Sequence, residues 1–355
     1  MQMGFRWYGT GNDSVTLPYI KQIPGVTSIV WSLHDMAAGP VWPVERIAKV
    51  QEEFKPFGFN MDVVESVNVH EDIKLGLPTR DQYIENYIQT IKNLSKFGVK
   101  VICYNFMPIF DWTRTDLFHP MPDGSTALFF EAAKVNNVSP EDLAKTVLDG
   151  SGKYTMPGWE PERLAHIKEA FKAYEGFTEE RLLNNFKYFM EAIAPAAEKE
   201  GIRMAIHPDD PPWSIFGIPR IVNNVENIRR LLAAVPSKAN GLTFCTGSLG
   251  ANPKNDIVSM VNEFIDRIYF IHIRNVKVFP NGDFIECSHR AQDGNVPIDL
   301  VMKTLSDHDF KGYIRPDHGR HIWDEKCRPG YGLYDRALGI MYLLGVWDIL
   351  QRAKK

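Results

Sequence analysis

The chain has little of what several large function classes require. It sets 40 Lys and Arg against 44 Asp and Glu, a formal net charge of −4, and its basic residues are scattered. It therefore offers no positive stripe to nucleic acid or to an anionic membrane. No uninterrupted apolar run is long enough to span a bilayer, and the opening Met1-Gln2-Met3-Gly4-Phe5-Arg6-Trp7-Tyr8 lacks the basic and apolar segments of a secretory leader. That reads as a soluble, cytoplasmic protein. The four cysteines, Cys103, Cys245, Cys287 and Cys327, are spread too widely for a disulfide scaffold or a CxxC zinc knuckle. Reduced thiols in a reducing compartment fit better. No glycine-rich dinucleotide or phosphate-loop fingerprint follows any strand-like run, which argues against a nucleotide cofactor. A small molecule is the expected partner.

What the chain does have is alternation. Strand-like runs at 4–8, 28–33, 61–66 and 99–105 are separated by helical patterns at 44–57 and 79–98, the latter with Ile84, Tyr87, Ile88, Ile91 and Leu94 at helical spacing. Between 106 and 176 the alternation stops. That stretch is rich in proline and aromatics, with short helical pieces around 139–148 and 161–173. A connection this long in a compact fold is functional or disordered, and the aromatics argue against disorder. It reads as an inserted lid or interface lobe. Helices at 178–201, 224–235, 256–267 and 299–310 then lead into strands ending near residues 206, 244, 271 and 314, and a helix at 336–353 follows. Eight βα units with right-handed crossovers predict a closed (β/α)₈ TIM barrel, one domain over 1–355, with the insertion after the fourth strand.

The last four strands break into polar residues in the same way. Ile206 runs into His207-Pro208-Asp209-Asp210, Phe244 into Cys245-Thr246-Gly247, Ile271 into His272-Ile273-Arg274-Asn275, and Arg315-Pro316 into Asp317-His318-Gly319. A parallel barrel brings such ends to one rim, so His207, Cys245, His272 and Asp317 converge there. Singly, each is more often a satisfied polar or packing residue than a ligand. On four consecutive strands, two imidazoles, a thiolate and a carboxylate suit a borderline divalent ion, and donor type does not choose between zinc, iron and manganese. Beside them, His318 can act as acid or base near neutral pH. Tyr331, in a glycine-flanked loop after the eighth strand, donates a proton more readily than it accepts one, with an ordinary pKa of about 10. Arg274 reads as a bidentate clamp for a carboxylate, and Asp209 as a second substrate contact. Cys103 reads as a small apolar packing residue.

Several long strings resemble the D-mannonate dehydratase family: Phe5-Arg6-Trp7-Tyr8-Gly9, Phe110-Asp111-Trp112-Thr113-Arg114-Thr115-Asp116-Leu117, His207-Pro208-Asp209-Asp210-Pro211-Pro212, Phe244-Cys245-Thr246-Gly247-Ser248, Arg315-Pro316-Asp317-His318-Gly319 and Gly330-Tyr331-Gly332. The resemblance covers essentially the whole chain. It implies a barrel akin to xylose isomerase, an Mn²⁺ or Fe²⁺ cofactor on His207, Cys245, His272 and Asp317, and conversion of D-mannonate to 2-dehydro-3-deoxy-D-gluconate in hexuronate (glucuronate) breakdown. The expected partner is a sugar acid. Exposed aromatics in the insertion suggest a homodimer. The alternative is a metal-dependent sugar isomerase on the same barrel, which would act on a neutral sugar and need no carboxylate clamp.

Overall fold

The computed structural model describes residues 1–137 and 167–354, with four single positions between them, 139, 142, 145 and 149. In chain order its strands are β1 (Gln2–Arg6), β2 (Val26–Trp31), β3 (Asn60–Glu65), β4 (Val101–Tyr104), β5 (Asp116–Pro120), β6 (Thr126–Phe130), β7 (Arg203–Ile206), β8 (Asn240–Cys245), β9 (Ile268–Ile273), β10 (Val276–Val278), β11 (Phe284–Glu286) and β12 (Tyr313–Pro316). Eight of them close a barrel in the order β1, β12, β9, β8, β7, β4, β3, β2, and every pairing within it is parallel. The (β/α)₈ TIM barrel expected from the alternation is the observed fold.

Side chains alternate across a strand, and in this barrel the alternation separates packing from chemistry. Phe5, Ile29, Val64, Ile102, Phe244 and Ile271 face the helical layer and join its apolar core. Their neighbours Val30, Val63, Val101, Cys103, Ala205 and Phe270 fill the barrel interior. Continuing that inner parity toward the C-terminal ends of the strands gives Arg6, Glu65, His207, Cys245, His272 and Arg315. The period of two that makes the strands thus also decides which polar residues look into the mouth.

The helices behind the strands follow from local signals. The longest, Glu179–Glu200, starts where the Thr178 side chain accepts from the Arg181 N–H, carries Glu179 and Glu180 in its first turn, and stops at Gly201 in the left-handed conformation. Leu182, Phe186, Phe189, Ile193 and Ala197 are its buried stripe.

Boundaries differ from expectation by a few residues. The first strand begins and ends two residues early, and the helix expected at 44–57 is α-helical over Val44–Phe54 and finishes as a 3₁₀ turn, Lys55–Phe57, capped by Gly58. Of the two helical pieces expected in the insertion, the second is present as Ile167–Ala173, and the first lies outside the described residues. The insertion also contributes what was not foreseen: the hairpin β5–β6, which joins β11 and β10 in a four-stranded antiparallel sheet. That sheet stands at the C-terminal rim, where Glu286 at the end of β11 reaches His318. Among the described residues no helix is long and apolar enough to cross a membrane.

Candidate active site

Strand register assembles the centre. Cys245 pairs across β8 and β9 with His272, and His272 pairs across β9 and β12 with Arg315, two residues before Asp317. His207 follows β7, its amide bonded to the Tyr104 carbonyl. The four residues marked in the sequence are brought together. Nε2 of His207 lies 3.2 Å from Nδ1 of His272, Sγ of Cys245 lies 3.4 Å from Oδ2 of Asp317, and Nδ1 of His272 lies 3.9 Å from Oδ1 of Asp317. Ligand atoms of His207, Cys245 and His272 all fall within 4.8 Å of one another, the span of donors around one ion with bonds of about 2.0–2.3 Å.

The donor chemistry fits a cation. His207 gives its Nδ1–H to the Pro208 carbonyl at 2.7 Å, which leaves Nε2 as a lone pair. Nε2 of His272 lies 3.3 Å from the Glu65 carboxylate, which favours the proton on that nitrogen and a lone pair on Nδ1. Arg315 reaches the His272 Nδ1 lone pair at 3.4 Å, and the His207 Nε2 lone pair facing it beside a sulfur and a carboxylate would be relieved further by a positive charge among them. A second group, Glu65, Cys103 and His272, is equally compact. Burial pushes the Cys103 thiol well above its ordinary pKa, however, with Glu65 adding to the effect, so Cys103 stays a thiol and fits the packing role read from its strand.

Around this centre runs a buried lattice of arginines and carboxylates. Arg114 forks onto Asp210 at 2.9 and 3.1 Å and reaches Glu286 at 2.9 Å. Arg274 meets Asp210 at 2.7 Å and Asp317 at 3.2 Å, and Arg315 joins Asp317 at 2.9 Å to Glu65 at 2.8 Å. Burial would raise these carboxyls, but the guanidiniums outweigh it: Arg114 and Arg274 hold Asp210 well below the usual range, and Arg315 does the same for Glu65. Such a lattice costs desolvation that a hydrophobic core would avoid. It is placed where charges must be held at fixed positions.

The Cys245-Thr246-Gly247-Ser248 string is explained by that lattice. Cys245 caps the short helix that follows, its Sγ accepting from the Ser248 N–H at 3.4 Å. Thr246 ties its hydroxyl to the Arg274 backbone. Gly247 has no side chain because a Cβ there would lie 2.1 Å from Arg274 Nε.

His318 and Tyr331 also reach the centre. His318 gives Nδ1 to Glu286 at 2.6 Å, and its ring lies 5.3 Å from that of Tyr331. Burial, with Tyr8 and Asp317 close by, pushes the Tyr331 phenol well above its ordinary pKa and keeps it protonated. Its loop is pinned by Gly330, whose N–H donates to Nε2 of His321 at 2.7 Å and whose carbonyl accepts from Gly319.

The two expected substrate contacts are placed differently. Arg274 is at the centre, fully buried, but its guanidinium is committed to Asp210, Asp317 and His318 rather than presented to the cavity. Asp209 turns away: its carboxylate accepts from the Val222 N–H at 2.7 Å and faces Arg220 at 3.8 Å. Asp210 is the carboxylate that joins Arg6, Tyr8, His207, Asp317, His318 and Tyr331 around the small inner cavity.

Comparison with known proteins is decisive. The family model for D-mannonate dehydratase matches residues 1–355. The chain belongs to the D-mannonate dehydratase family. It is 62% identical to the mannonate dehydratase of Shouchella clausii, over all of this chain and 99% of that one, and 58% identical to that of Bacillus subtilis strain 168 over the same shares. The crystal structure of mannonate dehydratase from Streptococcus suis serotype 2 superposes with a TM-score of 0.90 at 44% identity, covering all of this chain and 96% of that one. A xylose isomerase domain protein from Planctomyces limnophilus shares the fold, with a TM-score of 0.57 at 11% identity over 99% of each chain.

Within this family member, the residues that sequence reasoning missed are Arg114, Asp210, Glu286 and Glu65. Glu65 had a signal, as the carboxylate that ends the third strand. Arg114 and Asp210 stood inside strings that carry the family resemblance but drew no role of their own, and Glu286 had no signal, since its partners lie 172 and 32 positions away in the chain.

Proposed function

We propose that the chain dehydrates D-mannonate to 2-dehydro-3-deoxy-D-gluconate and water at a divalent ion, Mn²⁺ or Fe²⁺, held by His207, Cys245, His272 and Asp317. The observation that carries this reading is the convergence of those four donors beside His318 and Tyr331 at the rim of this family's barrel. The reaction takes the C2 proton and the C3 hydroxyl, and the resulting enol tautomerises to the 2-oxo acid. Taking a proton next to a carboxylate loads further negative charge onto an anion, so positive groups must face it. The bound ion supplies part of that charge.

The chain's own residues move the protons. His318, with Nδ1 given to Glu286, has its Nε2 lone pair turned to Arg274 at 3.0 Å, and it accepts the C2 proton there once substrate displaces that contact. Tyr331, held protonated, gives its proton to the departing C3 hydroxyl. The product serves hexuronate (glucuronate) catabolism in the cytoplasm, a compartment consistent with four unpaired cysteines. The working assembly is a homodimer.

The test is to offer a set of aldonates to metal-reconstituted protein and look for a 2-keto-3-deoxy product. D-mannonate is expected to give it. His318→Asn and Tyr331→Phe should each lower turnover by roughly 10²–10⁴-fold at normal metal content. Retained turnover would reject the assigned role, and an isomerised neutral sugar in place of the keto acid would reject the reaction.

A further inference from the structure

The inner cavity beside His207 and Asp317 is narrow, about 30 Å³, and it opens past Arg6, Tyr8 and Ser66 into a larger one of about 380 Å³ over the ends of β1, β2 and β3. A six-carbon chain cannot fit in the first. Arg6 stands at the junction and is only 3% exposed. Its Nε and Nη1 are buried and meet no acceptor, and among the described residues no carboxylate lies within ion-pair distance of it. A buried guanidinium is expensive to leave without an anion; Arg114, Arg274 and Arg315 are already engaged by carboxylates, whereas Arg6 faces the Tyr8 ring, its Cζ 4.7 Å from the ring centroid. His34 lines the same larger cavity, its ring 4.7 Å from that of Tyr8, and its Nε2 is likewise buried without a partner.

We propose that Arg6, and not Arg274, takes the carboxylate of the sugar acid, and that His34 Nε2 accepts from a hydroxyl further along its chain. The proposal rests on the dehydratase reading above and names how that site recognises its substrate. The anionic end sits at the junction, between Arg6 and the four donors, with C2 and C3 beneath Tyr331, and the remaining carbons lead outward into the larger cavity. Burial, with Arg6 and Arg328 nearby, lowers the His34 pKa and keeps its imidazole neutral, as a hydroxyl acceptor must be. Parity supports the choice of Arg6 as well: Phe5 and Trp7 belong to the outer core, which leaves Arg6 pointing inward.

The test uses metal-loaded, full-length protein, with D-mannonate as substrate and two competitors: D-mannitol, which has the same chain without the charge, and D-glycerate, which has the charge without the chain. Arg6→Met is expected to raise KM for mannonate by about ten- to a hundredfold, with kcat changed far less. It should also erase the preference for mannonate over mannitol. Arg6→Lys, which keeps the charge, is expected to fall between the two, and it carries the test if the methionine variant fails to fold. His34→Phe should weaken mannonate several-fold while leaving glycerate binding unchanged. If either folded Arg6 variant keeps the wild-type KM and the wild-type preference for the acid over the alcohol, the Arg6 assignment is overturned. Equal effects of His34→Phe on mannonate and glycerate overturn the His34 assignment. Absence of any keto acid from the wild type is a different outcome, and it removes the reaction itself.

Discussion

Glu65 does its work through His272. Its carboxylate is held by Arg315 and faces the imidazole nitrogen opposite the one turned to His207. A carboxylate behind a ligating histidine fixes the ring and the tautomer, and losing it typically weakens metal binding 10- to 100-fold. Glu65→Gln, which keeps the shape, is therefore expected to lower metal affinity by about that factor in a chelator competition. Cys245→Ser should lose the ion more completely, whereas Cys103→Ser should keep it, because the Cys103 thiol lies on the far side of His272 and stays protonated. If Cys103→Ser loses metal and Cys245→Ser does not, the ion sits in the other cluster. The convergence of His207, Cys245, His272 and Asp317 was legible in the sequence because strand ends and residue type suffice to mark it. The choice between Asp209 and Asp210 was not. Two adjacent carboxylates at a strand end face opposite ways, and only the bond from Val222 N–H to Asp209 decides which one enters the site.

At the scale of elements, the barrel was readable because each βα unit announces itself locally by apolar period and capping. The mouth sheet was not, since β6, with β5 at its other edge, pairs with β11, more than 150 positions away. One local signal existed, the Asp123-Gly124 turn between two apolar runs, but Pro120 and Pro122 around it read as loop. The sheet is coupled to the Tyr331 loop through His321. That imidazole meets the Thr126 hydroxyl of β6 at 2.9 Å on one nitrogen and accepts the Gly330 N–H on the other. Burial brings its pKa down from 6.5 to about 4. A histidine depressed in the folded state stabilises fully above 6.5 and loses that contribution as pH falls toward 4, because the unfolded chain takes up its proton first. The whole effect is at most about 3 kcal/mol. The expected outcome is that His321→Gln destabilises at pH 7.5 yet loses about 2 kcal/mol less than the wild type between pH 7.5 and pH 5, read from denaturant midpoints. Parallel profiles would mean that His321 does not titrate in this window.

At the scale of the whole molecule, the C-terminal helix, Leu333–Ala353, carries an exposed apolar face, and in the described part of the insertion Phe118 is the exposed large aromatic. One side of that helix packs on the barrel through Arg336, Gly339, Ile340 and Leu343. The opposite side repeats at helical spacing as Tyr334, Leu338, Met341, Gly345 and Ile349, each about half exposed or more. Trp323, 69% exposed and held at a positive φ of 56°, packs against Tyr334 with its ring tilted by 54° and extends the stripe. A helix apolar on both sides is one that expects to be covered. A second copy of the same chain, laid antiparallel, suits it: the stripe is then self-complementary, Gly345 lets the backbones approach, and exposed Asp324 at one end meets exposed Arg352 of the other copy. These side chains supply the core of an interface whose usual size is about 800 Å² per partner. In light scattering the wild type is expected to be a dimer, and Met341→Lys with Ile349→Glu a folded monomer. Asp324→Arg should weaken the dimer, and adding Arg352→Asp should restore it, a rescue that a merely destabilising substitution would not show. A monomeric wild type, or a dimer indifferent to the paired change, would put the contact elsewhere.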